Sequence, residues 1–167
     1  MKNYTSSVPA SQSIHEIEKI LIQAGARSVS KDYTSDGQIS AISFTIFNPE
    51  TQYPVMIRLP SDTEGAFIVL KGYYKRPNKL TKTQLDSLRE QAKRTAWKIV
   101  LDWVAVQMSL CEMRQAEMIQ VFLPYIWNGQ TTLFQQMKAS QTPCIGYKGD
   151  SALDSELEPD EEAGHAA

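Results

Sequence analysis

The chain is 167 residues long, 42% hydrophobic and 22% charged, which suits one soluble domain with a real core and is too short for two. No apolar run approaches the roughly 18 to 20 residues of a membrane helix, so no membrane partner is expected. The net charge of −2 hides an asymmetry: seven acids and no Lys or Arg lie from Asp150 onward, so residues 1–149 hold 17 bases against 12 acids, a net +5 that excludes a uniformly acidic surface.

In chain order, residues 1–12 read as a flexible lead. Ser13-Ile14-His15-Glu16 has the Ser-x-x-Glu form of a capping box. Ile14, Ile17, Leu21 and Ala24 follow at helical spacing, and Gly25 is placed to stop that first helix in a left-handed conformation. Arg27–Tyr33 reads as a strand and Ser35-Asp36-Gly37 as a turn. Ile39–Phe47 then sets Ile42, Phe44 and Ile46 on one face, with Ala41, Ser43 and Thr45 on the other. After the turn at Asn48–Thr51, Tyr53, Val55, Ile57 and Leu59 alternate with Pro54, Met56 and Arg58, and Pro54 suits an edge or a strand start because it cannot donate to a ladder. The short apolar run Ala66–Leu70 reads as a weaker fourth strand.

The segment Lys71–Leu110 organises the second half of the chain. It opens on the basic, tyrosine-bearing stretch KGYYKRPNKLTK and continues into a long helix that begins near Thr81, where Thr81-Lys82-Thr83-Gln84 fits a second capping box. Leu85, Leu88, Ala92, Ala96, Ile99, Trp103, Val106 and Leu110 recur at spacings of three and four, which predicts an apolar stripe. Its N-terminal half, carrying Arg89, Lys93, Arg94 and Lys98, is expected to face solvent, and its apolar half from Trp97 to be packed or at an interface. A new helix or a bend is expected over Glu112–Leu123, ended by Pro124. Trp127-Asn128-Gly129 reads as a turn and Thr132–Met137 as a last helical turn. Residues 140–167, rich in Pro, Gly, Ser and acids, read as a disordered acidic tail.

This pattern predicts an α+β fold: an N-terminal helix, a three- to four-stranded antiparallel sheet, a long helix packed on the sheet and a shorter C-terminal helix, with residues 13–139 as the single domain. The chemistry-bearing inventory is thin. His15 and His165 stand apart, Cys111 and Cys144 form no CxxC pair, and Cys111 falls in an apolar helical pattern, where a thiol serves as a small hydrophobe. There is no Gly-rich phosphate loop, nucleophile elbow or HExxH, so neither catalytic nor metal-ligating residues nor a cofactor are expected. The N-terminus lacks the apolar stretch of a secretory signal, and a cytoplasmic location follows.

The basic segment carries the functional expectation. Nine of the seventeen bases fall within Lys71–Lys98, and Tyr73 and Tyr74 lie among them. Clustered bases neutralise phosphates, and exposed tyrosines stack on unpaired bases. Lys71, Tyr73, Tyr74, Lys75, Arg76, Lys79, Lys82, Arg89 and Lys93 are therefore the candidate nucleic-acid-binding residues. At 100° per residue, Arg89 and Lys93 sit roughly 100° or more from Arg94 and Lys98, so the helix offers two flanks and no single stripe. The acidic tail can compete for a basic surface. A second expectation is a protein-interaction module, binding a protein partner or a further copy of itself through the apolar half of the long helix and through Met108, Met113 and Met118.

The order helix, three strands, helix over residues 13–110, with Arg89, Lys93 and Arg94 near the start of the second helix, resembles the double-stranded RNA-binding domain, which implies phosphate contacts there. The turn Thr34–Gly37 departs from the Gly-Pro-x-His of that family. Thr5-Ser6-Ser7-Val8-Pro9, the helix end Glu16-Ile17-Glu18 to Gly25-Ala26, Ala96-Trp97 with Trp103, and Phe122-Leu123-Pro124-Tyr125 are together similar to small bacteriophage and mobile-element proteins. That likeness implies an accessory protein acting on nucleic acid or on a host protein.

Overall fold

Alternation along the central strand decides the layering. The computed structural model describes residues 1–140, in which β1 (Ser28–Tyr33), β2 (Ile39–Phe47) and β3 (Pro54–Pro60) form an antiparallel sheet in the order β1-β2-β3. Ile42, Phe44 and Ile46 project from one face of β2 with Ile57 and Leu59 of β3, and all five are buried. The opposite face is more polar. There Arg58 Nε lies 2.7 Å from Asp32 Oδ2, Ser43 donates to the same oxygen, and the Arg58 guanidinium sits 5.0 Å over the Trp127 ring.

Two helices cover the apolar face. Ile14, Ile17 and Leu21 of α1 (Ala10–Gln23) and Trp97, Val104 and Met108 of α3 (Lys82–Glu112) close one core with the strands. Phe122 of α4 (Met118–Phe122) completes it, its ring edge-on to Phe44 at 5.1 Å and to Trp103 at 5.5 Å. Such pairs contribute about 0.5–1.5 kcal/mol beyond the area they bury. A 3-10 turn at Leu123–Tyr125 follows, as Pro124 dictates. Asn128 then reverses the chain, its side-chain oxygen accepting from the N–H groups of Gln130 and Thr131, with Gly129 at φ +99°. The last helix, α5 (Leu133–Ala139), starts on a capping box between Thr132 and Gln135.

The run Ala66–Leu70 is not a fourth strand. It belongs to α2 (Thr63–Gly72), whose N-cap Asp62 accepts from the Gly65 N–H at 2.7 Å, and whose Ala66, Phe67 and Leu70 face α3. A five-residue apolar run carries too little periodicity to separate strand from helix, and the helix-start signal lay upstream of it. With Leu88, Ala92 and Ala96 these residues form a second, smaller core. The first half of α3 is therefore covered along this one side, while Lys82, Asp86, Arg89 and Glu90 stand exposed as expected.

The α3 stripe also differs from its expected register. Val106 is 57% exposed, while Val104 and Met108 point inward. The helix meets α2 with one face early and the sheet with another face later, so a single straight stripe of threes and fours overshoots. α3 is followed by a separate helix, as expected from the change of register after Glu112.

The N-terminus is corrected as well. α1 begins at Ala10 with Pro9 as its N-cap, and Ser13 is a buried interior residue instead of a cap. The residues before it, expected as a free lead, lie along α3: Thr95 Oγ1 donates to the Asn3 carbonyl at 3.1 Å, and Gln91 donates to the carbonyls of Tyr4 and Ser6 at 3.0 Å. At its other end α1 stops as its glycine requires, with Gly25 at φ +95° and the Ala26 N–H bonded to the Leu21 carbonyl at 3.0 Å. The acidic tail falls almost wholly beyond residue 140 and so lies outside the described residues.

Candidate functional site

The nine candidate residues fall into two groups. The first occupies the connection between α2 and α3. α2 ends at Gly72 with Tyr73 as its C-cap, a 3-10 turn spans Pro77–Lys79, and α3 starts on the reciprocal Thr81–Gln84 capping box, with Thr81 N–H to Gln84 Oε1 at 2.9 Å and Gln84 N–H to Thr81 Oγ1 at 3.3 Å. Both ends of the connection are thus fixed, and Leu80 and Leu85 anchor its base against the smaller core. Lys75, Arg76, Lys79 and Lys82 are exposed and Lys71 half-buried, and none of the five makes a salt bridge among the described residues.

The two tyrosines of this connection are not equivalent. Tyr73 is 55% exposed, yet its hydroxyl accepts from the terminal amine of Met1 at 2.6 Å, and its ring meets Tyr4 edge-on with centroids 6.0 Å apart. Tyr74 is 45% exposed and makes no such ring contact among the described residues. Tyr74 is therefore the better stacking surface.

The second group, Arg89 and Lys93, sits one helical turn apart on the flank of α3 that faces the β1–β2 hairpin. The Arg89 guanidinium lies 5.2 Å over the Phe67 ring, with Asp86 at 3.9 Å, and Lys93 pairs with Glu90 at 2.7 Å. Arg94 and Lys98 turn to the other flank: Arg94 donates to Gln91 Oε1 at 2.7 Å and to the Ser6 carbonyl, and Lys98 pairs with Asp102 at 2.8 Å. Those two bases hold the N-terminal segment in place, which leaves seven of the nine bases of Lys71–Lys98 on the candidate surfaces.

Arg89 and Lys93 form one wall of a cleft of about 480 Å³. The rest of its lining comes from the first turn of α1, the hairpin from Tyr33 to Ser40 and the β3–α2 junction at Ser61 and Glu64. Asp36, in the hairpin, accepts from the Thr34 hydroxyl, which holds its carboxylate below the usual range. Tyr33 and Ser61 carry no signal in the sequence, because a strand-end tyrosine and a turn serine are unremarkable until four separate segments converge.

Other reactive groups are isolated. His15 lies on the outer surface of α1, 4.0 Å from Glu18, and burial raises the pKa of the half-buried Cys111 thiol. Among the described residues no cluster of three or more His, Cys, Asp or Glu side chains is placed to hold a metal ion, and no helix is long and apolar enough to cross a membrane. Compared with protein-family models, with curated proteins and with solved structures, the chain matches none.

Proposed function

We propose that the protein is a non-enzymatic nucleic-acid-binding accessory protein that engages the phosphate backbone with the α2–α3 connection. The observation that carries this reading is the set of five bases, Lys71, Lys75, Arg76, Lys79 and Lys82, held on a connection capped at both ends and making no salt bridge among the described residues. A base already paired to a neighbouring carboxylate must give up that contact to meet a phosphate, whereas these release only water and counterions. Tyr74 adds an exposed ring beside them, suited to an unpaired base.

The protein-interaction reading loses the feature that motivated it. Trp97, Val104 and Met108 are buried in this chain's own core, so the apolar half of α3 offers a partner little beyond Val106 and Met113. Titration of the full chain against labelled single- and double-stranded DNA and RNA, at a series of salt concentrations, tests the proposal. Salt-sensitive binding to at least one of the four supports it, and no binding to any of them at low salt refutes it.

A further inference from the structure

α2 is apolar on two sides. Ala66, Phe67 and Leu70 face α3, and helical spacing then puts Gly65, Ile68, Val69 and Gly72 on the side turned away from it. Ile68 is 62% and Val69 43% exposed. A surface helix ordinarily carries polar residues on its outer side, yet Thr63, Glu64 and Lys71 are the only polar residues of the ten in α2.

Gly72 is not required by the fold of the single chain. A Cβ at this position would meet nothing within 4 Å, and glycine is a poor helix former. Gly65 differs, because a Cβ there would strike the Asp62 carboxylate that caps the helix. The bare backbone at Gly72 keeps that end of the outer side flat, so that another backbone can come close.

The charges on one flank of α2 choose the partner. Glu64 and Lys71 are seven residues apart, two turns along the same flank, and neither makes a salt bridge among the described residues. A second α2 laid antiparallel, about a two-fold axis passing between Ile68 and Val69, sets these two side chains against their own counterparts and Gly65 opposite Gly72 of the partner subunit. The same axis brings Glu64 of each copy to Lys71 of the partner subunit, twice over. A parallel pair would place Glu64 beside Glu64 and Lys71 beside Lys71, so the attraction of unlike charges selects the antiparallel form.

We infer that the outer side of α2 is the contact between two copies of this chain, packed antiparallel through Ile68 and Val69. α2 spans ten residues, about 15 Å, and so buries less than the roughly 1,200 Å² of a standard stable interface. The dimer is therefore a weak one, formed at micromolar concentrations or above. It does not depend on the function proposed above. Where that function holds, the two α2–α3 connections leave opposite ends of the helix pair, and a strand spanning both meets two sets of five bases.

Sedimentation of the full chain over a series from micromolar to near-millimolar concentration tests the contact, and a reversible monomer–dimer equilibrium is expected. Ile68→Lys should abolish the dimer and leave the melting temperature of dilute protein unchanged, because the side chain is exposed in the single chain. Gly72→Leu has open space in the single chain and should also weaken association. Glu64→Lys and Lys71→Glu, each made alone, should weaken it about tenfold by replacing two attractive contacts with two repulsive ones, and the two together should restore it.

A parent protein that stays monomeric across the series, or a dimer that Ile68→Lys leaves intact, overturns the inference. Charge reversals that leave association unchanged, or that the double variant does not repair, overturn the antiparallel arrangement. If the parent is monomeric and still binds an oligonucleotide, the reading of the α2–α3 connection stands alone. If it dimerises as described and binds no oligonucleotide, the contact stands and that reading falls.

Discussion

Asn3 and Asp102 are 99 residues apart in sequence, and Asn3 Nδ2 donates to Asp102 Oδ2 at 2.9 Å. Lys2 reaches the same oxygen at 3.1 Å, and Lys98 holds the other at 2.8 Å. Three donors on one partly covered carboxylate fasten the N-terminal segment to α3. The Lys98 hydrogen bond first, then those of Asn3 and Lys2, lower the pKa of Asp102 from 3.8 to about 2.

That shift fixes a pH dependence. A carboxyl whose folded pKa is lowered stabilises the fold fully above its unfolded value and loses that contribution as pH falls through the folded value. Asp102→Asn should therefore cost on the order of 1 kcal/mol at pH 7, after allowance for solvent screening of a partly exposed group. Melting temperatures of the variant and the parent, compared at pH 7 and again towards pH 2, check this. The gap should narrow on acidification.

Val104 and Val106 make a second test, because the observed orientation of α3 separates them. Val104 is fully buried against the sheet and Val106 is 57% exposed. Val104→Ala should destabilise by about 2 kcal/mol through lost burial and the cavity left behind. Val106→Ala should stay within about 0.5 kcal/mol of the parent, aided by the better helix propensity of alanine. Urea denaturation of both variants decides whether the helix is rotated as described.

Much of this architecture was legible from sequence wherever a local rule had one reading. Ile42, Phe44 and Ile46 alternate as a strand does, although Ala41 and Ser43 on the other face are buried too, and Gly25 and the Thr81–Gln84 box mark helix ends by their own chemistry. Ala66–Leu70 misled because its strand and helix readings differ only through Asp62, the capping residue four positions upstream of it. Ser13 misled because Pro9 had already started the helix. The α2–α3 bases could be found because they are contiguous. The cleft could not, since its walls come from four segments spread between Ala10 and Trp97.

Phe67 links the smaller core to the candidate surfaces. It packs between α2 and α3 and carries the Arg89 guanidinium on its ring. Phe67→Ala should cost about 3 kcal/mol, and Phe67→Leu appreciably less, since it keeps most of the buried volume. Denaturation curves for the two variants measure the difference. A cost well below 1 kcal/mol for the alanine variant would contradict the packing of α2 on α3.

The acidic residues from Asp150 onward should oppose polyanion binding by the remainder of the chain, which carries a net +5 through residue 149. Replacing the seven acids with their amides in the full chain should raise oligonucleotide affinity at low salt, and the gain should shrink as salt is added. Anisotropy titrations of the two proteins at matched ionic strength provide the comparison.

The most direct test of the central claim is the salt dependence of single-stranded oligonucleotide binding by the parent and by the triple variant Lys75→Gln, Arg76→Gln, Lys79→Gln. These three bases are exposed, so the variant should melt where the parent does. If they meet phosphates, the slope of log affinity against log salt should become shallower by about 2, from the roughly 0.7 each phosphate contact contributes on a single strand. An affinity and a slope unchanged by the three substitutions would contradict the account.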